Sequence, residues 1–451
     1  MVQMTKSIIN IVHVVDTEGP LNESLKATFE RLSDLYQIHN IAPNKKNLLK
    51  LRNSEFNLNG KEKLVAKMLN SHLSNYNDTW DKIDKMLGEI FSKDFNKKYR
   101  DSWGKNWVFN WHCLDHVGYK FNPRKRTLGH HKIFDYYRKA LKKFKIRQDT
   151  IYWHFHPMSI HREAHRCATS YFNSNELFQI LCKKIIERKW FPSVFRAGFQ
   201  AERPDSNWFL EQWIPFDITN MSTEDVDILN KNIDFKNGRS GDWRLATKEW
   251  KVYHPDHDNY QIEGSCRRWI GRALNPLNRI GSFTQLEMNK AFNRANQNLP
   301  TLVGVASHDF RDLREEVKFI SNLIQNSKKK YPNVKFKFCS SLEGFRNVIE
   351  LDHKKIKPIK LKIVLHKNLK NDVPNLKIET LQGKVFGPQP FLAIETKQGR
   401  FIHDNLDFSL DGKTWSYAFH ADTLSINDVK NIGIAANDNV GNTFVKTLKV
   451  N

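Results

Sequence analysis

The amino-acid sequence predicts a distorted α/β barrel followed by a C-terminal β-sandwich. Apolar, strand-like runs recur along the first two thirds of the chain, and helical stretches separate several of them. After about residue 355 the helical periodicity is lost, and short alternating strands replace it. Strands that alternate with helices form parallel sheets or barrels. We therefore expect a barrel in residues 1–355 and a β-sandwich in residues 356–451.

The first predicted strand is the apolar run IINIVHVV at residues 8–15, which is typical of a parallel strand buried on both faces. It ends at the turn DTEGP, which carries two acids. Apolar residues at helical spacing predict a helix over residues 21–39. Residues 40–100 are rich in Asn and Lys, with helical periodicity around 61–91, and we interpret them as an insertion.

Four further strand-like runs follow, at residues 106–114, 150–156, 193–199 and 302–308. Helical patterns occur over residues 175–189 and 312–329. Several of the predicted strands end in polar side chains, namely Asp16, His154 and His156, Arg196, and His308. Active sites of barrel enzymes lie at the C-terminal ends of the strands, so we expect these side chains to converge.

The last 90 or so residues consist of short strands joined by Gly, Asn and Asp turns, a pattern typical of an immunoglobulin-like sandwich. The segment LDGKTW places Asp-Gly between alternating apolar runs, which predicts a hairpin. The segment DNVGN predicts a second turn.

The chain of 451 residues carries a formal net charge of +23. Such a field attracts polyanions, for example nucleic acid, an anionic membrane surface or an acidic glycan. The basic residues are spread along the whole chain, whereas a protein that reads nucleic acid usually concentrates them on one face or arm. We therefore expect no specific nucleic-acid partner.

The five cysteines lie far apart and form no CxxC pair, which argues against a disulfide framework and against a zinc knuckle. The apolar run at residues 8–15 is too short for a signal-peptide core and far too short to span a bilayer. No other stretch approaches membrane length. These features predict a cytoplasmic protein without a transmembrane segment.

Asp16 and Glu18 stand two apart on an extended chain, so both side chains point the same way. This placement allows one acid to hold a metal ion while the other acts as a base. The alternative is a turn at a strand end with a helix-capping acid.

Two pairs of histidines are candidate metal ligands. His154 and His156, in WHFHP, share one strand face and suit a borderline metal through neutral imidazole. His161 and His165, in HREAH, are four residues apart and would share a helix face if residues 160–172 are helical. We expect one pair to bind a metal and the other to face substrate or to be structural.

Arg196 follows an apolar strand, and if buried it needs a carboxylate partner such as Asp16. His308, in ASHDF, ends the last recognisable barrel strand; a single histidine in that position is more often structural than catalytic. The neighbouring polar residues Asp115 and His116 have no role that the sequence decides.

The order of these motifs resembles the polysaccharide deacetylase family, the NodB-homology domain of carbohydrate esterase family four. That family carries an acidic motif after the first strand, then a histidine motif, an arginine motif, a late aspartate-hydrophobic motif and a final histidine. The corresponding segments here are VVDTEGP, WHFHPMSIHREAH, FRAGF, WIPFDITN and VASHDF. The resemblance covers roughly residues 8–310 and implies a barrel of the polysaccharide-deacetylase type.

The resemblance also implies roles for individual residues. Asp16 would be the catalytic base, Arg196 would orient it, and His308 would be the general acid. The resemblance implies a divalent metal, which we expect to be zinc, held by Glu18, His154 and His156.

The chain departs from the family pattern in three respects. The family usually has two adjacent aspartates, where this chain has Asp16-Thr17-Glu18. The usual histidine spacing is four, which HREAH satisfies, although His156 at the strand end is the better positional match. Segments 40–100 and 220–290 have no counterpart in a minimal deacetylase domain.

The function implied is a metal-dependent hydrolase that removes an acyl group, such as acetyl, from an amino sugar or glycan intermediate in surface-polysaccharide biosynthesis. Its partner would be a carbohydrate, and an anionic one is compatible with the net charge. One alternative is a catalytically silent glycan-binding protein, and another is a C–N hydrolase acting on a small amide. A nucleic-acid-binding protein, suggested by charge alone, would show a steep salt dependence of affinity.

Overall fold

The computed structural model describes residues 7–164, 170–224, 241–277, 282–349, 355–367 and 373–450. Seven parallel strands, paired in chain order and closed by pairing of both the second and the seventh with the first, form a barrel. These strands are β1 (Ile8–Thr17), β2 (Phe109–Leu114), β3 (Thr150–Phe155), β4 (Val194–Ala197), β5 (Phe216–Asn220), β6 (Trp269–Leu274) and β7 (Thr301–His308). The predicted α/β barrel is thereby confirmed.

Strand β1 is the central strand of the barrel. It pairs with β7 along its length, while its other side pairs first with a short strand, β8 (Lys335–Phe338), and then with β2 from His13 onward. Every residue of β1 after Ile8 is buried. A strand with neighbours on both sides and packing on both faces favours apolar side chains on both faces, which explains the largely apolar run in the sequence.

Twelve α-helices occur in the described part of the chain; α7 to α10 lie between successive barrel strands, and α11 joins β7 to β8. The helices are α1 (Leu25–Tyr36), α2 (Lys45–Arg52), α3 (Glu62–Met68), α4 (Ser71–Ser74), α5 (Trp80–Ile90), α6 (Lys93–Lys98), α7 (Lys132–Lys143), α8 (Glu176–Arg188), α9 (Pro204–Trp213), α10 (Gln285–Asn296), α11 (Leu313–Lys330) and α12 (Ser341–Val348). None of these helices is both long enough and apolar enough to cross a membrane.

The segment between β1 and β2 is helical, as the periodicity predicts, and part of it has its own small core. Leu32 of α1, Leu51 of α2 and Val65 of α3 are buried against one another in a cluster separate from the barrel core. Helix α5 instead packs into the barrel core through its buried residues, which include Ile83 and Leu87. The inserted helices therefore extend the barrel on one side.

The C-terminal region contains two four-stranded antiparallel sheets, in the orders β13-β14-β10-β9 and β12-β11-β15-β16. The strands are β9 (Lys360–His366), β10 (Asn375–Gln382), β11 (Phe391–Thr396), β12 (Phe401–Asp404), β13 (Asp407–Phe408), β14 (Thr414–Ala418), β15 (Val429–Asn437) and β16 (Thr443–Lys449). Ile378 of the first sheet and Ile394 of the second belong to one buried cluster, so the sheets face each other. The Asp-Gly turn predicted as a hairpin joins β13 to β14, and Gly412 adopts a φ of 60° there.

The two sheets pack against the barrel mainly through α8, which contacts β11, β12, β15 and β16. A Cβ atom added to Gly433 of β15 would lie 2.5 Å from Cγ2 of Ile185 in α8, so only glycine allows this approach. The ring centroids of Trp213 and Phe391 are 5.1 Å apart across the same contact. The boundary at residue 355 stays a prediction, since residues 350–354 lie outside the described ranges.

Candidate metal centre

Polar side chains from four barrel strands meet at the C-terminal end of the barrel. Asp16 at the end of β1 is the register partner of His308 on β7, and His154 on β3 is the register partner of Arg196 on β4. Because parallel strands in register end at the same level, these four side chains lie close together. Glu18 and His156, which follow β1 and β3 directly, complete the group.

Glu18, His154 and His156 are buried and could hold a metal ion, because one ligand atom from each lies within 4.8 Å of the others. His154 Nε2 is 3.0 Å from His156 Nε2, and Glu18 Oε1 is 3.8 Å and 3.6 Å from these two nitrogens. Oxygen and nitrogen ligands placed ~2.0–2.1 Å from a tetrahedral zinc ion are ~3.3 Å apart. The distance between the two nitrogens, 3.0 Å, is shorter than this value, and the two distances to Glu18, 3.6 Å and 3.8 Å, are longer.

The imidazole of His154 is oriented for ligation. Its Nδ1 lies 2.9 Å from the carbonyl oxygen of Arg196, and donation to that acceptor leaves a lone pair on Nε2. Burial lowers the pKa of His154 and His156, so both rings are neutral, as metal ligands must be.

The backbone at Glu18 is held by a buried carboxylate. Asp309 accepts hydrogen bonds of 2.9 Å from the backbone N–H groups of Glu18 and Gly19 and a third from the Tyr137 hydroxyl. Gly19 adopts a φ of 72°, which a glycine accommodates without strain. Arg126 forms an ion pair with Oε2 of Glu18, while Oε1 faces the histidines. The carboxylate is therefore fixed in position before any ion binds.

Asp16 is adjacent to this group but is held by a different partner. Its Oδ1 accepts a hydrogen bond of 2.6 Å from Nε of Arg196, whose Nη1 donates to the carbonyl oxygen of Ile218. Burial alone would raise the pKa of Asp16, but the Arg196 guanidinium holds it well below the usual range. Asp16 is therefore an ionised carboxylate with one oxygen, Oδ2, directed toward His308.

His308 lies at the open side of the group. Its Nε2 is 3.7 Å from Asp16 Oδ2 and 3.9 Å from Glu18 Oε1. The His308 side chain is 19% exposed, whereas those of His154 and His156 are 1% and 6% exposed. Burial lowers the pKa of His308 to about 3, so the resting ring is neutral.

Two further histidines border the group, and sequence reasoning either missed them or left their roles open. His112 on β2 is a register partner of Asp16, and its Nε2 has no hydrogen-bond partner among the described residues. The ring of His116 lies 6.2 Å from that of His156, and neither of its nitrogens has such a partner within the same ranges. Burial lowers the pKa of each to about 3. Both are neutral rings available to orient a ligand.

Asp115, the neighbour of His116, takes part in a separate ion pair. Its Oδ2 lies 3.0 Å from Nζ of Lys184, and both side chains are 1% exposed. Its Oδ1 accepts a hydrogen bond of 2.7 Å from the backbone N–H of His131, just before α7. These contacts give Asp115 a structural role that joins β2 to α7 and α8.

The second histidine pair is only partly described. Residues 160–164 form turns and an isolated bridge rather than a helix, and His161 is exposed. His165 lies outside the described residues, so ligation by the HREAH pair stays a prediction that the structure does not address.

The loop after β4 leaves space for His156 only because it contains a glycine. A Cβ atom added to Gly198 would lie 2.0 Å from Cδ2 of His156. Gly198→Ala should therefore displace the ring and weaken any binding of a divalent metal ion by this group, with zinc as the probe, about 10–100-fold, the range found when groups that orient a metal ligand are changed. Zinc competition with a chromogenic chelator measures this effect.

Gly88→Ala in α5 is the matched control, because an added Cβ there would make only ordinary contact with Phe144 at 3.8 Å. Equal zinc affinities for the two variants would contradict the proposed role of Gly198.

Comparison with known proteins gives no relative: the chain matches no protein-family model, no curated protein and no solved structure. The function therefore has to be inferred from the residues of the site.

Proposed function

We propose that this chain is a metal-dependent hydrolase that cleaves the acyl C–N bond of an acylated amino sugar. The proposal includes a barrel of the polysaccharide-deacetylase type and an immunoglobulin-like arrangement of the two C-terminal sheets. One observation carries it: three buried donors that could hold a metal ion lie beside Asp16. The Asp16 carboxylate is paired with Arg196 and is not one of the three donors, and its Oδ2 lies 3.7 Å from Nε2 of His308.

The donor set favours zinc. One carboxylate oxygen and two imidazole nitrogens suit a borderline divalent ion, and three protein ligands are the usual number in catalytic zinc sites, where a fourth position serves water or substrate. When bound, such an ion supplies a Lewis acid that polarises the amide carbonyl and lowers the pKa of a water molecule.

The side chains supply the proton transfers. Asp16 accepts a proton from the attacking water, since Arg196 keeps it ionised. His308 is neutral at rest, so it must gain a proton before it can act as an acid. Asp16, whose Oδ2 lies 3.7 Å from His308 Nε2, can pass on the proton taken from water. His308 then protonates the nitrogen of the leaving amine. Water adds to the acyl carbon, the C–N bond breaks, and a carboxylic acid and an amine are released; the acid then gives its remaining proton to the amine or to solvent.

A second candidate substrate class, a small amide, is favoured by the burial of the site. Asp16 and the three donors are almost fully buried, and His308 is the most exposed member of the group. A site this buried, with His308 as its most exposed member, suits a small molecule or a sugar at the end of a chain better than the interior of a polymer.

The proposal is tested with protein stripped by a chelator and reloaded with zinc, using N-acetylated mono- and oligosaccharides and simple N-acetyl amides as substrates. Acetate release should require zinc and should disappear with chelator. His154→Ala should lose one equivalent of bound zinc and the hydrolysis, because it removes a buried donor. His420→Ala, at an exposed position in the C-terminal region, is the matched control.

Hydrolysis that continues undiminished in chelator, or zinc binding unaffected by His154→Ala, would overturn the proposal. Preference for the simple amides over every sugar would select the second candidate.

A further inference from the structure

A second group of potential metal ligands lies away from the barrel end. Glu211 on α9 and two residues of the loop before β6, His257 and Cys266, place one ligand atom each within 4.8 Å of the others. Glu211 Oε2 is 2.9 Å from His257 Nδ1, and Cys266 Sγ is 3.3 Å from the first and 3.9 Å from the second.

These distances match tetrahedral zinc coordination. With zinc bonds of ~2.0 Å to oxygen or nitrogen and ~2.3 Å to sulfur, tetrahedral geometry places an oxygen and a nitrogen ~3.3 Å apart and a sulfur ~3.6 Å from either. Each observed separation lies within about 0.4 Å of its expected value. Thiolate, imidazole and carboxylate are all ligands that zinc takes.

Hydrogen bonds hold the loop in the conformation that brings these ligands together. The side-chain amide of Asn207 on α9 donates to the carbonyl oxygens of Asp256 at 2.9 Å and His257 at 2.8 Å. Nε1 of Trp208 donates to the same His257 oxygen at 3.0 Å. A Cβ atom on Gly264 would lie 2.3 Å from Cα of Asp256, so the loop closes tightly on itself. The loop therefore already has the conformation that a metal ion would require.

The group lies at the surface, where an ion can enter. The side chain of His257 is 62% exposed and that of Glu211 is 13% exposed, while Cys266 is buried beneath them. Burial and the Glu211 carboxylate raise the pKa of the Cys266 thiol to about 12, and the thiol donates to Glu211. Binding of zinc would therefore release one proton.

We propose that Glu211, His257 and Cys266 form a second divalent-metal site, of zinc type, that fastens the loop before β6 to α9. Three protein donors leave a fourth position for water, and the loop that the ion would anchor leads directly to Arg268. That residue is fully buried and pairs with Glu202 and with Asp217 of β5. An ion at the surface would hold in place the segment that carries this internal charge. The proposal does not depend on the hydrolytic function.

Cobalt(II) titration of the full chain tests the second site separately from the barrel site. Thiolate ligation of cobalt(II) gives a sulfur-to-metal charge-transfer band in the near ultraviolet, and the barrel group contains no sulfur. Wild-type protein should bind two equivalents and show the band. Cys266→Ser should lose the band and one equivalent, whereas His154→Ala should keep the band and lose the other equivalent.

A second ligand variant and a control cysteine variant complete the test. His257→Gln changes an exposed side chain, so it should fold normally while cobalt binding at this site weakens at least ~10-fold. Cys167→Ser should leave the band unchanged. Absence of the band in wild-type protein, its survival in Cys266→Ser, or its loss in Cys167→Ser would overturn the proposal.

Discussion

Replacing Asp16 with asparagine should lower the turnover of amide hydrolysis by ~10²–10⁴-fold while zinc binding stays almost unchanged. The asparagine side chain has the same shape and can still accept the hydrogen bond from Arg196, but it cannot accept a proton from water. Zinc binding should persist because Asp16 is not one of the three donors, Glu18, His154 and His156. Steady-state kinetics and zinc competition on the same preparations measure the two quantities.

Two companion variants define the expected division of roles. His308→Ala should lower turnover by ~10²-fold with little loss of zinc affinity, because His308 lies at the edge of the donor group. Glu18→Gln should weaken zinc binding and hydrolysis together.

Because Asp16 and Arg196 form a buried ion pair, circular dichroism and urea unfolding must show that Asp16→Asn is folded. Parallel loss of zinc and turnover in folded Asp16→Asn would contradict its assignment as the base.

Lowering the pH from about 7 to about 5 should lower the free energy of unfolding by several times RT, on the order of a few kcal/mol. Burial lowers the pKa of eight histidines in the described part of the chain, namely His13, His112, His116, His130, His154, His156, His308 and His403. The unfolded chain protonates these rings near pH 6.5, whereas the folded chain does not. Their contribution to stability is therefore present above pH 6.5 and is lost as the pH falls.

Buried acids oppose this effect but are fewer. Burial raises the pKa of four acids in the same residue ranges, Asp149, Glu202, Asp309 and Glu316, and these stabilise the folded protein as the pH falls. The histidines outnumber the acids, so below about pH 6.5 the unfolded chain binds more protons than the folded chain, and the free energy of unfolding falls as the pH is lowered. Each proton that only the unfolded chain binds is worth ~1.4 kcal/mol per pH unit, against a whole stability of about 5–15 kcal/mol for many proteins.

Urea unfolding of metal-free protein at pH 7.5, 6.5 and 5.5 measures this dependence. His13 is fully buried, accepts a hydrogen bond from Trp107 Nε1 and lies 2.7 Å from the Ser307 hydroxyl, so glutamine can replace both contacts. His13→Gln should flatten the pH dependence by up to one proton, while His420→Gln, at an exposed position, should not change it. A urea midpoint that stays constant between pH 7.5 and 5.5 would show that the buried histidines do not control stability.

The sequence predicted the barrel strands that begin with an apolar run, but it did not predict β5 and β6, in which a buried charge interrupts a short strand. Strand β6 carries Arg272, whose guanidinium donates hydrogen bonds of 2.6 Å and 2.8 Å to Glu287. Strand β5 carries Asp217, which pairs with Arg268. Each charge interrupts the apolar pattern in the sequence, and its partner comes from elsewhere in the fold. Local patterning therefore cannot show that these segments are buried strands.

Local sequence patterns also predicted only part of the candidate site. The strand-end residues could be predicted because the barrel places all strand ends at one side, and the structure does bring Asp16 and His308 together. His112 was missed because it lies inside an apolar run. Glu211 and His257 are 46 positions apart, and only the packing of the loop on α9 brings them into contact.

The packing of α8 against the C-terminal sheets has a consequence for the order in which the protein folds during synthesis. The barrel strands β1 to β7 leave the ribosome well before β11 and β15, the strands that cover α8 and the ring of Trp213. Until then an apolar face of the barrel is open to water, which attracts chaperones and promotes aggregation. We expect nascent chains that stop short of β11 to be retained by chaperones, and release to follow completion of the last sheet.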